Sequence, residues 1–333
     1  MGDNNMQMMK QILMRKVIYA LIPLILVGII FFGWRVLVIL LLNCLVAIGI
    51  EWLFVRKTTK KVTEAVVVTA MLYTLTLPPS IPLWISCIGV AFGVLFGKMV
   101  FGGFGKNPFN PALVGRAFIY VNFPAFMTHQ WLEPLSPIFS GLTFFQVDTL
   151  TTATPMMLFK TDGTLPVLKN MLLGNISGSI GETSALLILF IAMILLWQKT
   201  ISRDTFFSVI FSFILFSFIF TTIGFSRVLP PHIGLWSGGI LFGATFMATD
   251  PISSPKTVWG KRLYGILIGL ITVVIRSFSL FSGGVMFAIL IGNTFAPILD
   301  ELIKALSTSK KTSKATKQAK TNHMPNTKGG ENA

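Results

Sequence analysis

Asp148-Thr149-Leu150-Thr151-Thr152-Ala153-Thr154-Pro155 sets several hydroxyls behind an acid, among small neighbours. A threonine hydroxyl can act as a nucleophile or phosphate acceptor where an enzyme cleft closes over small flanking residues. The same composition also reads as a surface turn whose Asp or Thr caps the next segment. A second group follows Gly102, Gly103 and Gly105, which permit tight turns, with Asn107-Pro108 and Asn110-Pro111. Its two amides suit a polar ligand edge, or else a Pro-capped turn before a helix. A third group, Thr249-Asp250-Pro251-Ile252-Ser253-Ser254, gathers oxygens suited to a hard cation such as Na⁺ or to a helix cap.

Glu51, Arg116 and Arg276 lie within apolar stretches. Ionisable groups there are functional candidates by default, so Asp250, Glu51 and Arg116 are candidates for an ion path. Glu51 and Arg276 are close to segment ends, where snorkelling is the simpler reading. The two cysteines, Cys44 and Cys87, form no CxxC, and the histidines His129, His232 and His323 are far apart. No metal site is expected, and a redox cofactor would have to be held another way.

The elements that position these residues must be lipid-embedded. The 333 residues are 53% hydrophobic and 12% charged, with mean hydropathy +0.76. Soluble domains carry roughly 25% charge, so a soluble globular protein, a disordered chain and a nucleic-acid module are excluded. Apolar segments fall at 17–33, 36–55, 64–80, 82–101, 111–127, 183–198, 204–224, 234–249, 262–280 and 284–303. Most match the ~20 residues needed to span a bilayer. Pro78-Pro79 interrupts the third, and Gly and Thr interrupt the eighth. The expected fold is therefore an all-α polytopic membrane protein with about ten transmembrane helices.

The net charge of +15 is unevenly placed. With the N-terminus cytoplasmic, 22 cations fall on the inner side, Arg116 and Lys98 among them, and 5 on the outer. Cationic loops resist translocation, so both termini are expected in the cytoplasm. The expected layout is a cytoplasmic segment 1–16, a transmembrane domain 17–303 and a disordered basic tail 304–333. The loop 128–182 lies outside, and a long loop in a compact protein is usually functional. Leu77-Pro78-Pro79-Ser80-Ile81-Pro82-Leu83-Trp84 echoes Leu229-Pro230-Pro231-His232-Ile233-Gly234-Leu235-Trp236, so a two-repeat architecture is expected. In this topology the copies are parallel.

"FGKMVFGGFGKNPFNPALVGRAF" (96–118), "MATDPISSPKTVWGKRLYGILIG" (247–269) and "VVIRSFSLFSGGVMFAILIGNTFAPILD" (273–300) resemble one family. It comprises the membrane protein NqrB of the sodium-translocating NADH:quinone reductase (Nqr) and its counterpart RnfD of the Rnf complex. The likeness covers most of residues 15–303. "GRAF" and "YGILIG" lean towards NqrB, while the long N-terminal extension associated with NqrB is missing. The segment from Asp148 to Thr154 resembles the family's flavinylation pattern, Asp-x-x-Ser/Thr-Gly/Ser-Ala-Thr, with Thr152 in place of Gly or Ser.

The resemblance implies covalent FMN on Thr154, attached by a phosphoester with FAD as donor. Asp148, Thr151, Thr152 and Ala153 would be its neighbours. It also implies a noncovalent riboflavin near Gly103, Gly105, Asn107 and Asn110, and inverted five-helix halves. Electrons would pass towards quinone (Nqr-type) or between ferredoxin and NAD (Rnf-type), coupled to Na⁺ or H⁺ movement in a bacterial cytoplasmic (inner) membrane. Partners would be the other subunits of such a complex, a flavin transferase, membrane lipid and a quinone, with no nucleic acid. A channel or transporter for a small polar solute is the alternative, because broken helices and a repeat also suit a pore.

Overall fold

The computed structural model describes residues 7–128, 130–134, 140–145, 151–182, 184–225, 227–279 and 284–322. The first half holds α1 (Ile12–Phe32), α2 (Arg35–Val55), α3 (Glu64–Leu75), α4 (Leu83–Val94) and α5 (Pro111–Asn122). The loop region carries short helices α6 (Pro124–Thr128), α7 (Pro155–Asp162) and α8 (Leu168–Leu173). The second half holds α9 (Ala185–Trp197), α10 (Arg203–Thr222), α11 (Pro231–Gly234), α12 (Ile240–Phe242), α13 (Val258–Phe278) and α14 (Gly284–Asn322). Strands are minimal: β1 (Gln7–Met9) pairs in parallel with β2 (Lys61–Thr63), and β3 (Trp131–Leu132) pairs antiparallel with β4 (Thr151–Thr152).

Among the described residues five helices are long and apolar enough to cross a membrane: α1, α2, α10, α13 and the Gly284–Thr308 part of α14. Glu64–Leu75, Leu83–Met99 and Ala185–Trp197 are apolar but shorter. The eighth apolar segment is not one helix. Paired Gly238 and Gly239 take φ of 64° and 70° and separate α11 from α12. Side chains are clamped across helix starts. Glu64 on α3 accepts from Gln11 N, and Gln11 Oε1 accepts from Ala65 N, so α1 and α3 cap one another.

Contacts fix helix directions. Asn43 meets Thr74 and Glu51 meets Thr63, so α2 and α3 are antiparallel. Gly97 abuts Pro111 and Gly89 abuts Gly115, so α4 and α5 are antiparallel too. By contrast α10 and α13 are parallel. Ser208 packs on Gly265, Ser212 packs on Gly269, and Ser212 Oγ donates to Gly265 O at 3.0 Å. Glycine is needed at 269 because a Cβ there would lie 2.7 Å from Phe213 N. Two parallel ~30 Å helices in succession require residues 223–257 to travel back along their length.

Both echo stretches share an element order: Pro-Pro, helix, a π-helical turn, a Pro turn, then a helix. The π turns are Leu95–Met99 and Gly243–Met247. Tyr120 at the end of α5 stacks edge-on with Phe287 at the start of α14, ring centroids 5.9 Å apart. Because α13 and α14 are antiparallel (Gly284 on Ile275, Gly292 on Tyr264), α5 and α13 point the same way. The helices that follow the two echo stretches, α5 and α13, thus run in the same sense. Helix α14 runs on past its apolar part to Asn322. Lys, Ala and Gln are good helix formers, so propensity prolongs α14 beyond its apolar part.

Candidate functional site

Thr154 is the N-cap of α7. Its backbone is extended, its hydroxyl accepts from Met157 N at 3.4 Å, and Pro155 takes the first helical position. The local geometry is the capping arrangement that the composition allows. Asp148 lies outside the described residues. Thr151 and Thr152 are placed by their backbone in β4, paired with Leu132 and Trp131. Ala153 is partly buried between that strand and the cap.

Thr154 borders a cavity of about 40 Å³ whose other walls include Arg116, Tyr120, Trp131, Ser177, Ser179, Glu182, Ser237 and Gly238. Arg116 belongs to α5, and the sequence places it on the inner side. The structure instead buries it at 8% exposure against the 128–182 loop, where its Nη1 donates to Glu182 Oε1 at 3.2 Å. The loop is strapped down for this. Ile180 N and Gly181 N donate to Leu77 O and Leu75 O. Among the described residues, two buried polar atoms at this cavity, Arg116 Nε and Ser179 Oγ, have no hydrogen-bond partner. A second void continues from Arg116 and Glu182 past Gly239 towards Phe242 and Met247.

Arg276 is corrected as well. It does not snorkel: at 5% exposure it donates to Gly234 O (2.9 Å), Ser237 O (3.0 Å) and Gly238 O (2.9 Å) and lies over the Phe213 ring. Breaking a helix at membrane depth leaves carbonyls without partners, and Arg276 satisfies three of them. Glu51 is likewise no anchor. It is 1% exposed, and its Oε2 accepts from Lys98 Nζ at 2.9 Å. Thr63 Oγ1 accepts from Lys98 Nζ at 2.7 Å and donates to Glu51 Oε1 at 2.8 Å. Lys98, counted among the inner-side cations in the sequence, is 2% exposed in the first π turn.

Lys98, Asn107, Asn110, Thr200, Thr249 and Asp250 border a cavity of about 60 Å³ between the two π turns. Asn110 Oδ1 caps α5, accepting from Ala112 N at 3.0 Å, and Asn107 Nδ2 donates to Phe109 O at 3.1 Å. Gly103 and Gly105, with φ of 89° and 85°, shape the preceding turn. Asp250 caps its own turn through Ile252 N and Ser253 Oγ. The structure thus brings Asn107, Asn110 and Asp250 together with Lys98, while Glu51 reaches the group only through Lys98. Arg116 belongs to the Thr154 cavity. Among the described residues no cluster of His, Cys, Asp or Glu could hold a metal ion.

Five long apolar helices among the described residues define a multi-pass helical membrane protein. Residues 5–308 match the NQR2, RnfD, RnfE family model. The chain belongs to that family. It is 39% identical over 264 residues to the NqrB protein of the Na(+)-translocating NADH-quinone reductase of Pseudomonas paraeruginosa, covering 76% of this chain and 63% of that protein. The NqrB protein of Chromohalobacter salexigens is 40% identical over 266 residues, with 76% and 62% covered. The RnfD protein of the ion-translocating oxidoreductase complex of Actinobacillus succinogenes is 33% identical over 324 residues, with 87% and 91% covered. The chain thus spans about 63% of the length of the NqrB relatives that it matches.

Proposed function

We propose that the chain is a membrane subunit of an ion-translocating electron-transport complex in a bacterial cytoplasmic membrane, carrying FMN in phosphoester linkage on Thr154. The observation that carries this reading is the placement of Thr154 at a polar cavity with Arg116 and Ser179. A phosphoester there needs a hydroxyl acceptor, a cation and hydrogen-bond donors. Thr154 supplies the first, Arg116 the second, and Arg116 Nε and Ser179 Oγ are buried donors with no partner among the described residues. Thr154 also heads the eight-residue α7, whose N-terminal N–H groups and dipole favour negative charge.

Attachment is balanced as transfer from FAD by a transferase: the threonine hydroxyl displaces AMP, and the threonine oxygen bonds the flavin phosphate. Once bound, the flavin supplies one- and two-electron transfer. The roughly 40 Å³ beside Thr154 would suit the phosphate end alone. Arg116 and Ser179 would hold the phosphate, and Glu182 keeps the guanidinium oriented. The test is intact-protein mass with and without a flavin transferase. The reading requires a gain of FMN less one water, and its absence would favour the channel reading.

The 60 Å³ inner cavity holds about four waters. It admits the polar edge of a noncovalent riboflavin or its ribityl hydroxyls, not a whole ring. Among the described residues Asn107 Oδ1 and Asn110 Nδ2 have no hydrogen bond that holds the turn, and these atoms would meet the ligand. Asn110→Asp keeps the capping oxygen and removes the amide donor. Acid-extractable riboflavin should bind about 1–3 kcal/mol more weakly, with covalent FMN unchanged. Undiminished riboflavin stoichiometry in this variant would reject the site.

Helix directions support ten crossings with both termini on one side, provided that the shorter helices also cross. The cation distribution assigns that side to the cytoplasm. Alkaline phosphatase fused after residue 160 should then be active, and an inactive fusion whose fluorescent-protein counterpart fluoresces would reverse the assignment. The remaining subunits of an Nqr- or Rnf-type complex would supply NADH or ferredoxin chemistry, a quinone would serve as acceptor in the former, and Na⁺ or H⁺ would be the ion moved.

A further inference from the structure

A cleft of about 440 Å³ meets the Thr154 cavity at Pro155, Ile176 and Ser177, which border both. Ala153 borders it too, so both chain neighbours of Thr154 belong to its wall. Local turns build it. α7 ends at Gly163 and α8 at Gly174, with φ of 70° and 98°, and glycine takes such values at no steric cost. The second turn is closed by Asn175 N, which donates to Asn170 O at 2.9 Å. Between the two helices, Pro166 stiffens the connection that forms one side of the cleft.

The lining specifies the occupant. α7 and α8, of eight and six residues, are too short to span a bilayer. Leu158, Leu165 and Val167 nonetheless border the cleft with exposures of 40%, 55% and 62%. Exposed apolar groups gathered at a groove mark a ligand site. Thr164, Asn170 and Asn175 add hydrogen-bonding groups to the same wall. Apolar walls with a few polar groups, enclosing roughly 300–1,000 Å³, are what a drug-sized ligand needs. Isoalloxazine is such a ligand, planar, apolar across its faces and polar along its pyrimidine edge. The Thr154 cavity, at about 40 Å³, has no room for it.

We propose that this cleft seats the isoalloxazine ring of a flavin held at Thr154, an assignment that rests on the attachment proposed above. The phosphate stays with Arg116 and Ser179, and the ribityl chain crosses the shared wall at Pro155 and Ile176. Leu158, Leu165 and Val167 pack on the ring, and Asn170 and Asn175 meet its polar edge.

The test is iodide quenching of flavin fluorescence in the full chain, co-expressed with a flavin transferase, purified in detergent and read on the fraction that carries the FMN mass. The attached flavin should be quenched about threefold less readily than free FMN. Leu165→Ser and Val167→Ser alter side chains that are exposed without the ring, so folding is little affected, and each should raise quenching about twofold. Leu165→Met and Val167→Ile keep the wall apolar and should match the parent. Lys169→Gln, an exposed change on α8 that does not border the cleft, should match it as well. No FMN mass on the parent would overturn the attachment at Thr154 and the cleft with it. FMN mass present, with a flavin quenched as readily as free FMN, would overturn the cleft alone. So would serine variants that match the parent, or methionine and isoleucine variants that lose protection equally.

Discussion

Thr154→Val should abolish covalent flavin altogether, read as lost in-gel fluorescence and no mass gain after co-expression with a flavin transferase. Valine keeps the β-branch and nearly the same volume while removing the acceptor oxygen. It also removes the cap of α7, at about 1 kcal/mol, so membrane levels of the variant must be measured alongside. Thr154→Ser separates the two effects, because serine caps well and offers a hydroxyl, and it should keep the cap and part of the labelling. Ser179→Ala and Arg116→Gln leave the acceptor intact. They should permit attachment but loosen the phosphate, seen as lower fluorescence anisotropy of the bound flavin. Flavin mapped to Thr151 or Thr152 would sink the assignment, and none anywhere would remove the redox reading's main support.

Glu51→Leu should be among the most destabilising single changes in the membrane domain. It leaves Lys98, 2% exposed, with Thr63 as its one remaining hydrogen-bond partner among the described residues. Removing one partner of a buried pair costs about 3–5 kcal/mol. Glu51→Leu with Lys98→Met replaces both charges by apolar groups and should recover most of that loss. The unfolding midpoint in detergent for the two single variants and the double variant measures the coupling. If the double variant is as unstable as the sum of the singles, the pair is not acting as a unit.

The sequence carries the apolar segments, the Pro and Gly breaks and the register of Thr154, because these are local. Pro78-Pro79 falls in the break between α3 and α4, and the Gly/Thr content of 234–249 foretells the break between α11 and α12 and the π turn that follows. What it conceals is pairing across the chain. Arg116 reads as an inner cation because only its neighbours are visible, whereas its partner Glu182 is 66 residues away. Lys98 reads as an inner-side cation because apolar flanks disclose nothing of Glu51, 47 residues earlier. Arg276 lies near a helix end, where snorkelling is ordinary, and its true partners are backbone carbonyls, which no side-chain pattern reveals. A lone Lys within an apolar run followed by glycines was the one available signal for Lys98.

The π turns at Leu95–Met99 and Gly243–Met247 set angular phase. Each is in effect an α-helix with one surplus residue, and one residue corresponds to about 100° of rotation. Excising a single residue from either turn would keep the helix and its hydrophobicity but swing everything on one side of the cut by more than a quarter revolution. Lys98 would then turn away from Glu51, or Thr249 and Asp250 away from the inner cavity. This part of the chain should therefore tolerate substitutions far better than changes in length, and the two turns give two separate frames in which that difference can be read.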